Sequence, residues 1–303
     1  MRAHNDIVFA TDTHSYVILL LFDLSAAFDT VDHQILEQTF SCCFGINGKA
    51  LRWFKSYLKN RKQVVNVKGA TSCSKNLRCG VLQGSVLGPI LYVLYTSPLC
   101  DIVRSHGLLC HFYADGTQLY CSFKLHDQAA SVQAIESCLN DTVAWMLANM
   151  LKLNRDKTEL LMVGPKHQVN PPIKGIHVAG EFIEVSNNAR KIGVIFDSHV
   201  NLEKHVINTC KTAFYHLRNI AKKRNCLSQD DAETLVHAFI SSKLDFCNAH
   251  LLGLPQSAID RLQYVQNCAA RLMTRTRNLE HITPVLRRLN WLPVRQQIGR
   301  AHV

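Results

Sequence analysis

Two aspartates stand where carboxylates do chemistry. Asp23 closes the apolar run Tyr16-Val17-Ile18-Leu19-Leu20-Leu21-Phe22, which reads as a strand buried on both faces. Asp115-Gly116 separates two short apolar runs, 108–114 and 117–123, and this dipeptide is a strong two-residue hairpin signal, so Asp115 is expected at a hairpin tip. The hairpin arms are apolar enough to lie beside the 16–22 strand in one sheet. The two carboxylates could then converge. Convergent carboxylates supply oxygen ligands for a pair of Mg²⁺ ions about 3.5–4 Å apart, one activating an attacking hydroxyl and the other steadying a leaving oxygen in phosphoryl transfer. Taken singly, either aspartate is equally an ordinary strand-end or turn residue.

Several elements must position such a pair. Asp32 reads as a helix N-cap, with Ile35, Leu36 and Phe40 at helical spacing behind it, and a second helix is expected over 49–60 on the stripe Leu51, Phe54, Leu58. Gln63 to Val67 alternates like a short strand. Ser85 onward reads as a buried helix with Pro89 in its opening turns, where proline costs least. A helix over 127–150 carries Ile135, Leu139, Val143 and Met146 on one face, and 159–163 reads as a strand. A hairpin is expected from 176–178 and 182–185, and one more strand over 191–196. Beyond residue 202 the pattern turns helical, over about 202–224, 229–247 and 256–274. The expected fold is α+β, an antiparallel sheet with packing helices over 1–198, followed by an all-helical domain over 199–303.

At 303 residues, 47% hydrophobic and 19% charged, the composition is that of a packed protein and excludes a disordered or fibrous chain. The apolar run near the start is seven residues, far short of the roughly 20 that span a bilayer, and residues 1–6 lack the order of a signal peptide. No membrane association is expected, and the sequence does not choose among intracellular, nuclear or cytoplasmic locations. Twelve cysteines without a C-x-x-C pair read as reduced thiols rather than a disulfide or zinc framework. The net charge of +11 is uneven: residues 1–165 hold 15 basic and 13 acidic side chains, residues 166–303 hold 19 and 10. Positions 38–100 contain nine basic residues and no carboxylate, with Trp53, Phe54 and Tyr57 interleaved. That suits a polyanion-binding surface, or equally a solvated helix face with its rings turned inward.

The sequence around the aspartates is more specific. The stretch Phe22-Asp23-Leu24-Ser25-Ala26-Ala27-Phe28-Asp29 resembles the first catalytic motif of reverse transcriptases from LINE-like retrotransposons, those without long terminal repeats. Gly80-Val81-Leu82-Gln83-Gly84-Ser85 resembles their glutamine-glycine motif, and Phe112-Tyr113-Ala114-Asp115-Gly116 their tyrosine-x-aspartate-aspartate hairpin. Leu151-Lys152-Leu153-Asn154 with Asp156-Lys157-Thr158-Glu159 resembles the next palm motif, and Lys191-Ile192-Gly193-Val194 the primer grip. These motifs occur in the family's order, and a looser likeness runs on to Trp291-Leu292-Pro293-Val294.

The resemblance implies a polymerase palm and a helical thumb-like domain that uses an RNA template, a DNA primer and a deoxynucleoside triphosphate (dNTP). It implies that Asp23 and Asp115 hold two Mg²⁺ ions, with the Leu24 carbonyl added. Phe28 would lie under the incoming sugar and exclude a 2′-hydroxyl, while Gln83 and Gly84 line the nucleotide pocket. Lys157 would protonate departing pyrophosphate, and Tyr113 and Gly193 would bind the primer. Three departures are visible. Gly116 stands where the family's second hairpin aspartate belongs, which should cost about 10²-fold or more in rate. Leu82 replaces the usual proline, and only 22 residues precede Asp23, so most of the fingers and any endonuclease domain are expected to lie outside this chain. The expectation is therefore an impaired RNA-directed DNA polymerase or, as the alternative, an inactive retrotransposon remnant that acts at most as a basic nucleic-acid-binding module.

Overall fold

The computed structural model describes residues 2–114, 116–165, 173–191 and 193–300. It divides into a sheet unit, Arg2–Asn187, and a helical unit from Asn188 onward.

The sheet unit is built on its most apolar strand. After helix α1 (Arg2–Asp12), β1 (Tyr16–Ser25) runs through the centre of a six-stranded sheet of order β6-β7-β1-β8-β10-β9. Every β1 residue from Tyr16 to Phe22 is buried, because both faces are covered. Ile18, Leu20, Phe22 and Leu24 enter the main core, and α1 lies against β1 with Ile7 and Ala10 buried. Asp32 caps α2 (His33–Phe44) as its type predicts, accepting from the Gln34 and Ile35 amides at 2.8 and 3.0 Å. Helix α3 (Gly48–Leu58) turns Leu51, Phe54 and Leu58 to the core, while Trp53 stays 54% exposed. The expected strand over 63–67 is instead two short pairings: β2 (Lys62–Gln63) with β5 (Lys75–Asn76), and β3 (Asn66–Val67) with β4 (Ala70–Thr71). Helix α4 (Gly88–Thr96) opens on Pro89 as expected, and α5 (Leu99–Ser105) follows.

The sheet's remaining strands are β6 (Leu109–Tyr113), β7 (Gly116–Phe123), β8 (Lys152–Val163), β9 (Gly175–Val178) and β10 (Glu181–Ser186). β1 is antiparallel to both β7 and β8, whereas β10 joins β8 by a short parallel pairing, so the sheet is mixed. Helix α6 (Gln128–Ala148) buries Ile135, Leu139 and Met146 against it. Two expectations are corrected. Tyr113 pairs with Gly116, so Gly116 is a strand residue and the turn lies one residue earlier than Asp115-Gly116 suggests; Ala114 takes the left-handed φ of 51°. β8 also begins at Lys152, seven polar-rich residues before its apolar end announces it.

The helical unit opens with a hairpin, β11 (Asn188–Lys191) and β12 (Val194–Asp197), where one strand over 191–196 is expected. Gly193, at φ 80°, turns it. The division at Asn187 thus assigns this hairpin to the helical unit, whereas the sequence reading draws its boundary after residue 198. Helices α7 (Glu203–Lys223), α8 (Gln229–Val236), α9 (Ser242–Asp245), α10 (Gln256–Thr274), α11 (Ile282–Arg288) and α12 (Val294–Arg300) follow. Between α8 and α9, residues His237–Ser241 form a π-helical segment. Val206, Leu217, Val236, Ile240, Leu262 and Val265 centre this unit's own core.

Candidate active site

The site grows from the exit of β1. A strand buried on both faces must surface somewhere, and the first polar side chain after Phe22 is Asp23, whose side chain is 22% exposed. On one side Asp23 pairs with Gly116, which pairs in turn with Tyr113; on the other it pairs with Asn154. One row across four strands therefore reads Tyr113, Gly116, Asp23, Asn154. Asp115 precedes Gly116 in the chain and lies outside the described residues.

A bulge brings in Lys157. From Leu21 to Asp23, β1 advances two residues while its β8 partners run from Glu159 to Asn154, so β8 carries extra residues there. The Thr158 hydroxyl closes the bulge by donating to the Asn154 carbonyl at 2.8 Å. Lys157 donates from Nζ to Asp23 Oδ2 at 3.0 Å. Sequence reasoning names Lys157 but misses Asn154 as the residue facing Asp23, since nothing in its spacing signals an irregular register.

The nucleotide-motif residues surround the turn that follows β1. Phe28 stacks on Tyr92 of α4 with ring centroids 4.8 Å apart, and its carbonyl accepts from the Val81 amide at 2.8 Å. The Gly80 amide donates to the Val31 carbonyl at 2.8 Å, and the His33 ring meets the Gly80 carbonyl at the same distance. These bonds clip the segment carrying Gln83 and Gly84 to the one carrying Asp23. Gly84 has φ 84°, which favours glycine, and open space where a Cβ would stand; Gln83 is exposed. Leu24 is buried at the end of β1, and Tyr113 is 65% exposed at the end of β6. Gly193 belongs to the helical unit, where a Cβ would fall 3.0 Å from the Phe246 ring.

Asp23 offers hard oxygen donors of the kind Mg²⁺ takes, and it is reachable from solvent. In kind, the donor fits. In number, no group of three His, Cys, Asp or Glu side chains gathers among the described residues, and Gly116 brings no oxygen side chain to the row beside Asp23.

Residues 1–196 match the family model described as reverse transcriptase (RNA-dependent DNA polymerase). The chain belongs to the reverse transcriptase family. Among curated relatives, this reverse transcriptase chain is 27% identical, over 99% of its length, to the probable RNA-directed DNA polymerase from transposon BS of Drosophila melanogaster, covering 33% of that protein. It is 29% identical over 90% of its length to the counterpart from transposon X-element of the same fly, covering 30% of it. The RNA-directed DNA polymerase from mobile element jockey is 26% identical over 68% of the chain, which covers 22% of that protein. These relatives match the LINE-like character of the motifs. The chain spans about a third of the first two relatives' length. Apo telomerase from Candida tropicalis aligns with TM-score 0.47 and 13% identity over 99% of this chain and 54% of that one, too slight a likeness to bear on function. No described helix is long and apolar enough to cross a membrane.

Proposed function

We propose that the sheet unit is the palm, and the helical unit the thumb, of an RNA-directed DNA polymerase that extends a DNA primer on an RNA template. The observation that carries this reading is the pairing of Asp23 with Gly116, the residue after Asp115, in a row that also holds Tyr113. In the proposed reaction the primer 3′-oxygen bonds to the α-phosphorus of the dNTP while the bond to pyrophosphate breaks. Mg²⁺, held by Asp23, Asp115 and the Leu24 carbonyl, would supply positive charge to the attacking and leaving oxygens. The protein's own groups do the rest. Phe28, fixed by its stack on Tyr92, selects the deoxyribose; Gln83 and Gly84 border the nucleotide; Tyr113 and Gly193 hold the primer. Lys157, already beside Asp23, gives a proton to the departing pyrophosphate. The basic helical unit grips phosphates in a salt-dependent way.

One observation favours a second reading, that of an inactive, basic nucleic-acid-binding remnant: Gly116 is buried within β7, so the row beside Asp23 has lost a carboxylate. Primer extension on an RNA template separates the two. Native incorporation that disappears in Asp23→Ala supports the polymerase, with Gly116→Asp about 10²-fold faster. Incorporation in Gly116→Asp alone supports the remnant, and silence in every variant contradicts the catalytic reading.

A further inference from the structure

The helical unit holds a cleft that the polymerase reading does not use. It measures about 390 Å³, within the range of about 300–1,000 Å³ typical of small-molecule sites. Its lining includes His237, Ile240 and Ser241 of the π-helical segment, a rare conformation that recurs at functional sites, together with Leu244. The turn bearing Asn290, Trp291 and Leu292 also lines the cleft. Both Gln266 and Gln297 donate from Nε2 to the Leu292 carbonyl at 2.9 Å, which locks the turn and holds the indole in place. Trp291 meets the His237 ring edge-on, with centroids 5.7 Å apart.

The polar inventory selects the ligand. The cleft lining includes the carboxylate of Asp245, the imidazole of His237 and the amides of Asn248, Gln266, Asn290 and Gln297, but no Lys or Arg, so no permanent cation faces an anion inside it. Lys243 and Arg295, each within two residues of a lining residue in sequence, are exposed. A neutral, planar, hydrogen-donating group is thus favoured within the cleft. Nucleobases are such groups, and unstacked RNA bases are recognised by an aromatic surface together with contacts to the Watson–Crick edge. Among the four, guanine presents two adjacent donors, N1–H and N2–H, that match the two oxygens of one carboxylate.

We infer that this cleft binds an unstacked guanine of an RNA strand, stacked against Trp291 and read by Asp245. The inference rests on the nucleic-acid-binding reading above and adds base selectivity to it. The test is fluorescence anisotropy of the full chain with end-labelled eight-nucleotide RNAs that differ at one central base: guanosine, inosine, which lacks the N2 amino group, or adenosine. A hydrogen bond to a charged acceptor predicts that the inosine RNA binds about tenfold or more weakly than the guanosine RNA, and that Asp245→Asn removes the difference. Equal binding of the three RNAs with steep salt dependence would overturn the guanine site and leave the nucleic-acid reading standing. A guanosine preference that persists in Asp245→Asn would overturn the role of that carboxylate, and absence of RNA binding at low salt would overturn both readings together.

Discussion

At the scale of single residues, Asp23 has the Lys157 ammonium beside it and Gly116 paired with it across the sheet. Lys157 reaches Asp23 from a strand bulge, and its side chain is 64% exposed, so the ion pair is worth at most about 1 kcal/mol to stability. As the proposed general acid its effect on rate would be larger, since a positioned general acid contributes about 10²-fold or more. Lys157→Met, introduced into Gly116→Asp, is therefore expected to slow single-turnover incorporation about 10²-fold while shifting the urea unfolding free energy by less than about 1 kcal/mol. A large loss of stability with unchanged rate would assign Lys157 to folding instead. Asp23 was legible because a long apolar run ends on it. Asn154 was not, because its place opposite Asp23 depends on a bulge that leaves no periodic trace.

At the scale of elements, the loop between Gly80 and Gly88 decides where Gln83 and Gly84 stand. Ser85 Oγ donates to the Leu82 carbonyl at 2.7 Å and accepts from the Gly88 amide at 3.0 Å, folding the loop onto the start of α4. A Cβ at Gly88 would meet the Leu82 carbonyl oxygen at 2.7 Å. Alanine is the better helix former by about 1 kcal/mol, but the opposing atom is backbone and cannot step aside cheaply. Gly88→Ala should thus destabilise the sheet unit by about 1–3 kcal/mol in urea unfolding, and weaken nucleotide binding along with it. Strong local signals were read correctly here: the Asp32 cap, Pro89 at the start of α4, and the apolar faces of α3 and α6. The misreadings share one cause, tertiary pairing that overrides local type. Ala114 takes the turn conformation that Gly116 would adopt more cheaply, and the polar-rich stretch 152–158 joins a sheet because β1 needs a partner at its end. Helix α1 has too weak an apolar face to stand out without the sheet it covers.

At the scale of the whole molecule, two units carry different burdens. The sheet unit holds the row of Tyr113, Gly116, Asp23 and Asn154, and the helical unit carries most of the net positive charge together with two histidines, His205 and His250, whose burial holds their pKa values below the ordinary one. With the folded pKa lowered, the unfolded chain binds more protons once the pH falls through about 6.5, so stability present at pH 7.5 is lost progressively toward the depressed folded values. Thermal melting of the helical unit should fall between pH 7.5 and 5.5, and His205→Leu should flatten that dependence. A melting temperature independent of pH in the native chain would contradict it. The account as a whole turns on the exit of β1 and the 113–116 hairpin forming one cation site. Mn²⁺ binding followed by electron paramagnetic resonance, in the native chain, Asp23→Asn, Asp115→Asn and the double variant, measures this directly. Each single substitution is expected to remove most of the binding and the double to remove little more, because both carboxylates serve the same ion. Independent, additive losses, or binding untouched by Asp23→Asn, would contradict the shared site and the polymerase reading built on it.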